Sequence, residues 1–218
     1  MSDIKKIYEN RFQETRIEKR VAVWRALCKY YFSPLVPDGA SVLDVACGYG
    51  EFINSIVADK KFAIDLNPDS KKYLDTGINY FNISALDMNP IVDNSIDFAF
   101  ASNFLEHLHN KNECDTVMKE VYRVLVPGGK FVILGPNIKY SYKEYWDYYD
   151  HHLPLSHLST SEGLIASGFK MEKVIDKFLP YTMRGKAPAG DVAIRVYLTF
   201  SLLWKFFGKQ FLVVARKP

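Results

Sequence analysis

Residues 42–52, VLDVACGYGEF, decide the fold of this 218-residue chain. They predict a buried strand that ends at Asp44, then a turn of small residues, then a helix that begins at Glu51. Gly48 and Gly50 lack Cβ atoms, so the backbone can bend sharply there and a ligand can approach it closely. This strand–turn–helix unit is typical of nucleotide-binding α/β proteins.

A second acidic residue follows after about twenty residues, the spacing found in nucleotide-binding units. Asp65 ends the apolar run Phe62–Ile64, and an acid there accepts hydrogen bonds from ribose hydroxyls. The dinucleotide motif is incomplete, because Ile53 stands where a third glycine would allow tight helix–strand packing. Glu51 at the helix start would repel a diphosphate but tolerate an ammonium and a sulfonium group. These residues favour S-adenosylmethionine over NAD or FAD.

Strand and helix patterns alternate from Ser41 onward. The clearest helix, Lys111–Leu125, repeats its apolar residues at helical spacing, and Pro127–Gly129 ends it. The alternation predicts an α/β fold: a Rossmann-like, doubly wound, mostly parallel sheet with helices on both faces and an antiparallel end strand. The predicted strands are Ser41–Val45, Lys61–Asp65, Ile78–Ser84, Ile96–Ala101, Lys130–Leu134, Phe169–Ile175 and Gln210–Arg216.

We predict a single domain with three parts. Residues 1–38 form an N-terminal helical extension, residues 39–137 the cofactor-binding core, and residues 138–218 an acceptor lid with the last helices and strands. The helices predicted in the first and last parts are Ile4–Phe32, Ser159–Ser167 and Val192–Phe207.

Composition excludes several classes of protein. The net charge is +3 with both signs mixed along the chain, so no nucleic-acid partner is expected. Three widely spaced cysteines without a Cys-x-x-Cys pair indicate a reducing compartment, with neither disulfides nor structural zinc. No histidine–carboxylate spacing typical of a ligand set occurs, so no metal is expected. The N-terminus lacks the apolar stretch of a signal peptide, and we predict a cytoplasmic location.

A series of motifs in order resembles that of the class I S-adenosylmethionine-dependent methyltransferases, and the series covers residues 41 to 137. The first two are the glycine turn and Asp65. The others follow the third and fourth predicted strands and precede the fifth, in the segments Ser84–Met88, Asn94–Leu108 and Val124–Lys130.

The resemblance implies a role for each segment. The turn would hold the methionine part of the cofactor, Asp65 the ribose and Asp87 the adenine amino group. Ala46 departs from the pattern, because many members have glycine there, but alanine is small enough to leave the turn intact. The predicted cofactor-binding residues are Asp44, Ala46, Cys47, Gly48, Tyr49, Gly50, Asp65, Leu66, Leu86, Asp87, Met88, Asn103 and Phe104.

Residues 140–157, rich in tyrosine and histidine, follow the fifth predicted strand and should cover the acceptor pocket. His151 and His152 are the candidate general bases, with His157 as a third. In the alternative reading, the aromatic residues pack the lid and the histidines bond backbone carbonyls. Glu106 and His107, after the fourth strand, either face the methyl group or serve in capping and packing.

The resemblance implies transfer of a methyl group from S-adenosylmethionine to an oxygen or nitrogen of a small molecule. The tail is similar to members associated with sugar or polysaccharide biosynthesis, in the segments Tyr145–His157 and Gly208–Ala215, so a sugar or glycolipid precursor is the expected acceptor. The loop Ser102–Leu105 does not resemble that of nucleic-acid amino-methyltransferases. The alternative is a non-catalytic S-adenosylmethionine-binding subunit or sensor.

The apolar segment Val192–Phe207 is too short to span a bilayer. It either covers the pocket as a buried helix or lies at a homodimer interface. The third reading is contact with a membrane surface or a lipid-linked acceptor.

Overall fold

The computed structural model describes residues 14–181 and 190–218. Its strands are β1 Ser41–Val45, β2 Lys60–Ile64, β3 Asn79–Phe81, β4 Ile96–Ser102, β5 Leu125–Pro136, β6 Lys170–Leu179 and β7 Gln210–Arg216. They form one seven-stranded sheet in the order β3-β2-β1-β4-β5-β7-β6. Neighbouring strands are parallel, except that β7 is antiparallel to β5 and β6. The predicted Rossmann-like α/β fold is confirmed, with β7 inserted beside the outermost strand.

Helices lie between most of these strands, as predicted, but no α-helix of the described chain separates β2 from β3 or β3 from β4. The α-helices are α1 Glu14–Leu27, α2 Glu51–Ser55, α3 Lys111–Val124, α4 Ile138–Ser141, α5 His157–Ala166, α6 Asp191–Thr199 and α7 Ser201–Phe207. Helix α1 continues through a π-helical turn, Cys28–Phe32. The first part of the predicted N-terminal helix, residues 4–13, lies outside the described residues. No described helix has the length and apolar character needed to cross a membrane.

The sheet buries both faces. Val42 and Leu43 are adjacent on β1, yet they belong to two separate hydrophobic clusters and both are fully buried. Helices α3 and α5 pack on one face, and α1, α2 and α6 on the other. On the second face the rings of Phe52 and Phe100 stack, with centroids 3.9 Å apart. This two-sided burial explains why the strands read as nearly continuous apolar runs.

The predicted turn Pro127–Gly129 does not separate α3 from the next strand. Helix α3 ends at Val124 and β5 begins at once, so the turn lies within β5 as an irregularity between two paired stretches. Gly128 has a φ of +85° there, and its N–H donates to the Lys217 carbonyl at 2.8 Å. The C-terminal segment therefore holds the turn in place.

The prediction of a single helix over Val192–Phe207 is wrong. The segment breaks at Phe200, whose φ and ψ are −100° and 85°, into α6 and α7. The indole N–H of Trp204 donates to the Tyr197 carbonyl at 2.8 Å, which satisfies an acceptor that the end of α6 leaves open. No glycine or proline marks this break, so the sequence pattern does not show it.

Candidate active site

The glycine turn follows β1 in an unusual backbone conformation. Ala46, Gly48 and Gly50 all have positive φ, at +59°, +54° and +72°. The Cys47 N–H donates to the Ile64 carbonyl at 3.0 Å, which ties the turn to the end of β2. Alanine in the left-handed region costs on the order of 1 kcal/mol. The structure thus accommodates alanine at 46, as predicted, but at the cost of some strain.

The two glycines of the turn face different surroundings. A Cβ added to Gly50 would lie 2.5 Å from Leu74 Cδ2, so this position packs against the protein. A Cβ added to Gly48 would meet no protein atom within 4 Å. Gly48 therefore lies beside open space, as a backbone that a ligand approaches must.

Asp65 joins the turn to the end of β2. Its carboxylate accepts hydrogen bonds from the N–H of Gly48 at 2.7 Å and of Asn67 at 2.8 Å. Burial raises its pKa, and these two hydrogen bonds oppose the rise. The side chain predicted to bind ribose is thus held at the turn by two backbone donors.

Asp44 lies behind Asp65 and is only 3% exposed. Burial, and then the negative charge of Asp65, raises its pKa to about 8, while a hydrogen bond from the backbone of Ile53 lowers it. Within the described part of the chain, no Lys or Arg forms an ion pair with either carboxylate. Asp44 is buried and Asp65 is half-buried, and two neighbouring acidic groups without a cation fit a positively charged ligand, which would favour their ionised forms.

Glu51 does not act as the sequence argument assumed. Its carboxylate pairs with the guanidinium of Arg20 on α1, so its charge is largely compensated within the protein. The same guanidinium stands 5.0 Å from the ring centre of Tyr49, in the glycine turn. The preference for a cationic cofactor therefore rests on Asp44 and Asp65, and Arg20 is a contact that sequence spacing did not reveal.

The predicted adenine side lies beyond β2 and β3 and is more open. Asp87 is exposed, and its Oδ1 accepts the Asn89 N–H at 3.2 Å. Leu66 is 67% exposed, and Leu86 is half-buried against the core. These three side chains remain predicted cofactor contacts.

Met88 and Cys47 have packing roles in this structure. Met88 is fully buried, and its N–H donates to Glu120 Oε2 at 2.8 Å. The thiol of Cys47 is buried too, and burial raises its pKa, so it is not a nucleophile at neutral pH. Both residues support the site through packing.

The loop after β4 bends sharply at Asn103, which has a φ of +49° and donates its N–H to the Leu134 carbonyl at 2.9 Å. Phe104 follows and lines a small cavity at the carboxyl ends of β4 and β5. Leu155 of the predicted lid lines the same cavity. Of the described lining residues, only Glu106 carries a charged side chain, and it is 4% exposed.

Backbone hydrogen bonds fasten the lid to the loop after β4. The carbonyl of Glu106 accepts the N–H groups of His152 at 2.8 Å and Leu153 at 3.1 Å. The hydroxyl of fully buried Tyr145 donates to the Leu153 carbonyl at 2.6 Å. Tyr145 is thus a lid anchor, a role that the aromatic composition alone did not assign to it.

The three candidate histidines have different environments. His151 is buried, stacks on Tyr148 with ring centres 4.9 Å apart, and lies 5.0 Å from the ring of His107. His152 is exposed and stacks on His109. His157 accepts a hydrogen bond from Asn137 Nδ2 at 2.9 Å, and burial lowers its pKa. Of these three histidines, only His151 lies beside Glu106 and His107 of the loop after β4.

The sheet order defines a Rossmann-like fold, and the carboxyl groups of Asp44 and Asp65 lie near the ends of its neighbouring strands β1 and β2. Residues 43–133 match the family model described as a methyltransferase domain. The matched residues include the glycine turn, Asp65 and Asp87, the segments in which the sequence resembles S-adenosylmethionine-dependent methyltransferases.

Known proteins resemble the chain over different spans. It is 31% identical over 132 residues to the sterol 4-C-methyltransferase strm-1 of Caenorhabditis elegans, a match that covers 56% of this chain and 38% of that enzyme. A SAM-dependent methyltransferase of Thermotoga maritima superimposes with a TM-score of 0.68, 15% identity and coverage of 98% and 99%. One of Archaeoglobus fulgidus gives 0.65, with 21% identity and coverage of 88% and 92%. These two structures share the fold.

The two glycines give a matched test of the turn. Replacing Gly48 with alanine should cost about 1 kcal/mol of stability through its positive φ, yet weaken binding of S-adenosylhomocysteine about tenfold or more because the methyl enters the ligand crevice. Replacing Gly50 with alanine adds the collision with Leu74 and should lower the melting temperature further. Calorimetry and thermal unfolding of both variants measure this. If wild type and Gly48→Ala bound S-adenosylhomocysteine with equal affinity, the ligand would not occupy the space beside Gly48.

Proposed function

We propose that this protein transfers a methyl group from S-adenosylmethionine to an oxygen or nitrogen of a small molecule. The observation that carries the proposal is the pair of neighbouring acidic groups, buried Asp44 and half-buried Asp65, beside the open backbone of Gly48. The domain match over residues 43–133 supports it.

The residues divide the work of such a reaction. When bound, the cofactor supplies a methyl group already activated by the positive charge on sulfur. Asp65 would accept hydrogen bonds from the ribose, and Asp44 would favour the cationic sulfur over its neutral product. The lid would exclude water and place the acceptor in the cavity beside Phe104, and alignment of this kind supplies several kcal/mol of the barrier reduction.

We propose a sugar or glycolipid precursor as acceptor, on the strength of the tail segments Tyr145–His157 and Gly208–Ala215. The relative from Caenorhabditis elegans is named for a sterol, so sterols belong in the same test. The experiment incubates the protein with radiolabelled S-adenosylmethionine and panels of glycolipid precursors, free sugars, amines and sterols. Label transferred to an oxygen or nitrogen acceptor supports the proposal. Cofactor binding without turnover on any panel would favour the non-catalytic subunit or sensor instead.

An exposed apolar surface supports contact with a lipid-linked acceptor. Neither α6 nor α7 lines the described cavity, which argues against a helix over the pocket. Helix α6 packs against α1, and α7 packs against β6, on the face of the sheet that α1 covers. Their strongly exposed apolar side chains are Val192, Val196, Phe200, Leu202, Phe206 and Phe207.

The double variant Leu202→Ser/Phe206→Ser tests that surface. The fraction of the variant that sediments with vesicles should be about tenfold lower than for wild type, because two large apolar side chains would be missing from the lipid interface. Its melting temperature should stay within a few degrees of that of wild type. Sedimentation equilibrium on the same samples detects a homodimer. A wild-type dimer that the variant converts to monomer, without vesicle binding by either, would replace the lipid contact with a subunit interface.

A further inference from the structure

Two adjacent side chains of the loop after β4 and a third from the distant lid meet beside the cavity. Glu106, His107 and His151 each offer a ligand atom, and these atoms all lie within 4.8 Å of one another. Glu106 and His107 belong to the short helical turn after β4, and His151 comes from the lid. Spacing along the chain could not reveal this set, because the two histidines are 44 positions apart.

The hydrogen bonds of His107 prepare it to bind a metal. Its Nδ1 lies 2.9 Å from the carbonyl oxygen of Asp150, and a carbonyl can only accept, so Nδ1 carries the proton. The Asp150 carboxylate lies 3.4 Å from the same nitrogen. The lone pair is therefore on Nε2, and a histidine that donates its other nitrogen to a carbonyl or carboxylate is the usual arrangement around bound metals.

Glu106 supplies the charge that a cation needs. It is 4% exposed, and no Lys or Arg of the described chain pairs with it. A buried carboxylate is stable when it is paired or coordinates a metal.

We propose that Glu106, His107 and His151 bind one divalent transition-metal ion at the wall of the acceptor cavity. Two imidazoles and one carboxylate suit zinc, iron, cobalt or manganese better than magnesium or calcium, which prefer oxygen ligands. Ligand atoms about 2.1 Å from an ion are about 3 to 4 Å apart, so small side-chain rotations would close the set. Because Glu106 lines the cavity, the remaining coordination positions face the acceptor.

The role of the ion deepens the proposed methyl transfer and rests on it. A coordinated acceptor hydroxyl has a lowered pKa and gives its proton to water. Its oxygen then bonds to the methyl carbon as the carbon–sulfur bond breaks. The electron pair of that bond returns to sulfur, and S-adenosylhomocysteine leaves. The acceptor class is therefore a molecule with an oxygen that can coordinate, such as a vicinal diol or hydroxy acid.

The test is metal binding by the full chain after removal of metals with a chelator. Wild type should bind one equivalent of Zn²⁺ by calorimetry, show the visible absorption of coordinated Co²⁺, and bind Mg²⁺ about 100-fold more weakly. The Glu106→Gln and His151→Ala variants should each weaken Zn²⁺ binding about 100-fold. His109→Ala is the matched control, because exposed His109 lies beside His152 and Glu113 and could bind zinc at the surface.

The outcomes separate the two proposals. Wild type without Co²⁺ absorption overturns the metal site, even if a variant fails to fold. Loss of zinc binding in His109→Ala but not in Glu106→Gln also overturns it. S-adenosylhomocysteine binding is measured on the same samples. A chain that binds this product but no metal refutes only the metal site, whereas one that binds metal but neither cofactor nor product refutes the methyltransferase proposal.

Discussion

The Asp65→Ala variant will bind S-adenosylhomocysteine about 100-fold more weakly than wild type. The carboxylate is the only acidic side chain held at the glycine turn by two backbone N–H groups in the described structure, and it is the predicted acceptor for the ribose hydroxyls. Hydrogen bonds to charged groups contribute about 1.5–3 kcal/mol each, and about 1.4 kcal/mol is tenfold in affinity. Isothermal titration calorimetry at pH 7.5 measures the change.

Part of that loss will come from the turn itself. Without Asp65, the N–H groups of Gly48 and Asn67 lose their acceptor, so the turn becomes less well ordered. Asp65→Asn separates the two effects, because the amide keeps one oxygen acceptor and should lose only about tenfold in affinity. Asp59→Ala is the control, since Asp59 is an exposed carboxylate just before β2. An Asp65→Ala affinity within threefold of wild type would remove the ribose assignment.

The sequence reveals this part of the site because parallel strands end at one edge of the sheet. An acid at the end of β1 and another at the end of β2 must then lie close together, whatever the rest of the chain does. The lengths of β1 and of the glycine turn follow from local patterns as well. These predictions needed only apolar runs, glycines and the order of strands.

Contacts between distant segments could not be predicted in the same way. The pairing of Arg20 with Glu51 joins residues 31 positions apart, and it removed one of the electrostatic reasons for the choice of cofactor. His151 and His152 are adjacent in sequence, yet one is buried beside Glu106 and the other is exposed. Which of two neighbours faces a site depends on how the lid packs, and composition does not encode that.

The break at Phe200 shows a second limit. Helical periodicity continues through Val192–Phe207, and the segment contains neither glycine nor proline. Two hydrogen bonds accompany the interruption: the Tyr197 hydroxyl donates to the Phe178 carbonyl of β6, and the Trp204 indole donates to the Tyr197 carbonyl. Local propensity is a weak signal when such contacts decide the geometry.

The cofactor-free protein will become less stable as the pH rises from 5 to 8, and Asp44→Asn will remove much of that decline. An unfolded aspartate has a pKa near 3.9, whereas the buried carboxyl of Asp44 keeps its proton up to about pH 8. Between these values the folded state holds one proton more than the unfolded state. Its free energy of unfolding therefore falls by about 1.4 kcal/mol per pH unit for that proton, and levels off above pH 8.

The comparison with asparagine isolates this group. Asparagine fills nearly the same volume and has no charge to desolvate, so Asp44→Asn should unfold at a higher denaturant concentration than wild type at pH 8 and at nearly the same one at pH 4. Burial also raises the pKa of Asp65. The free energy of unfolding of Asp44→Asn should therefore still fall with pH, but less steeply. Denaturant unfolding from pH 4 to 9 measures both proteins. Parallel curves for the two would show that Asp44 is ionised in the folded chain at neutral pH.

The same carboxyl links pH to the choice between substrate and product. S-adenosylmethionine carries a positive sulfur that S-adenosylhomocysteine lacks, and a nearby positive charge favours the ionised form of Asp44. Substrate binding should therefore release a proton below pH 8, and its affinity should rise with pH more steeply than that of the product. In Asp44→Asn the two ligands should show the same pH dependence. Calorimetric titrations at pH 6, 7 and 8 in buffers of different ionisation enthalpy measure the number of protons released on binding. A number near zero for wild type would show that the positive sulfur does not interact with the Asp44 carboxyl.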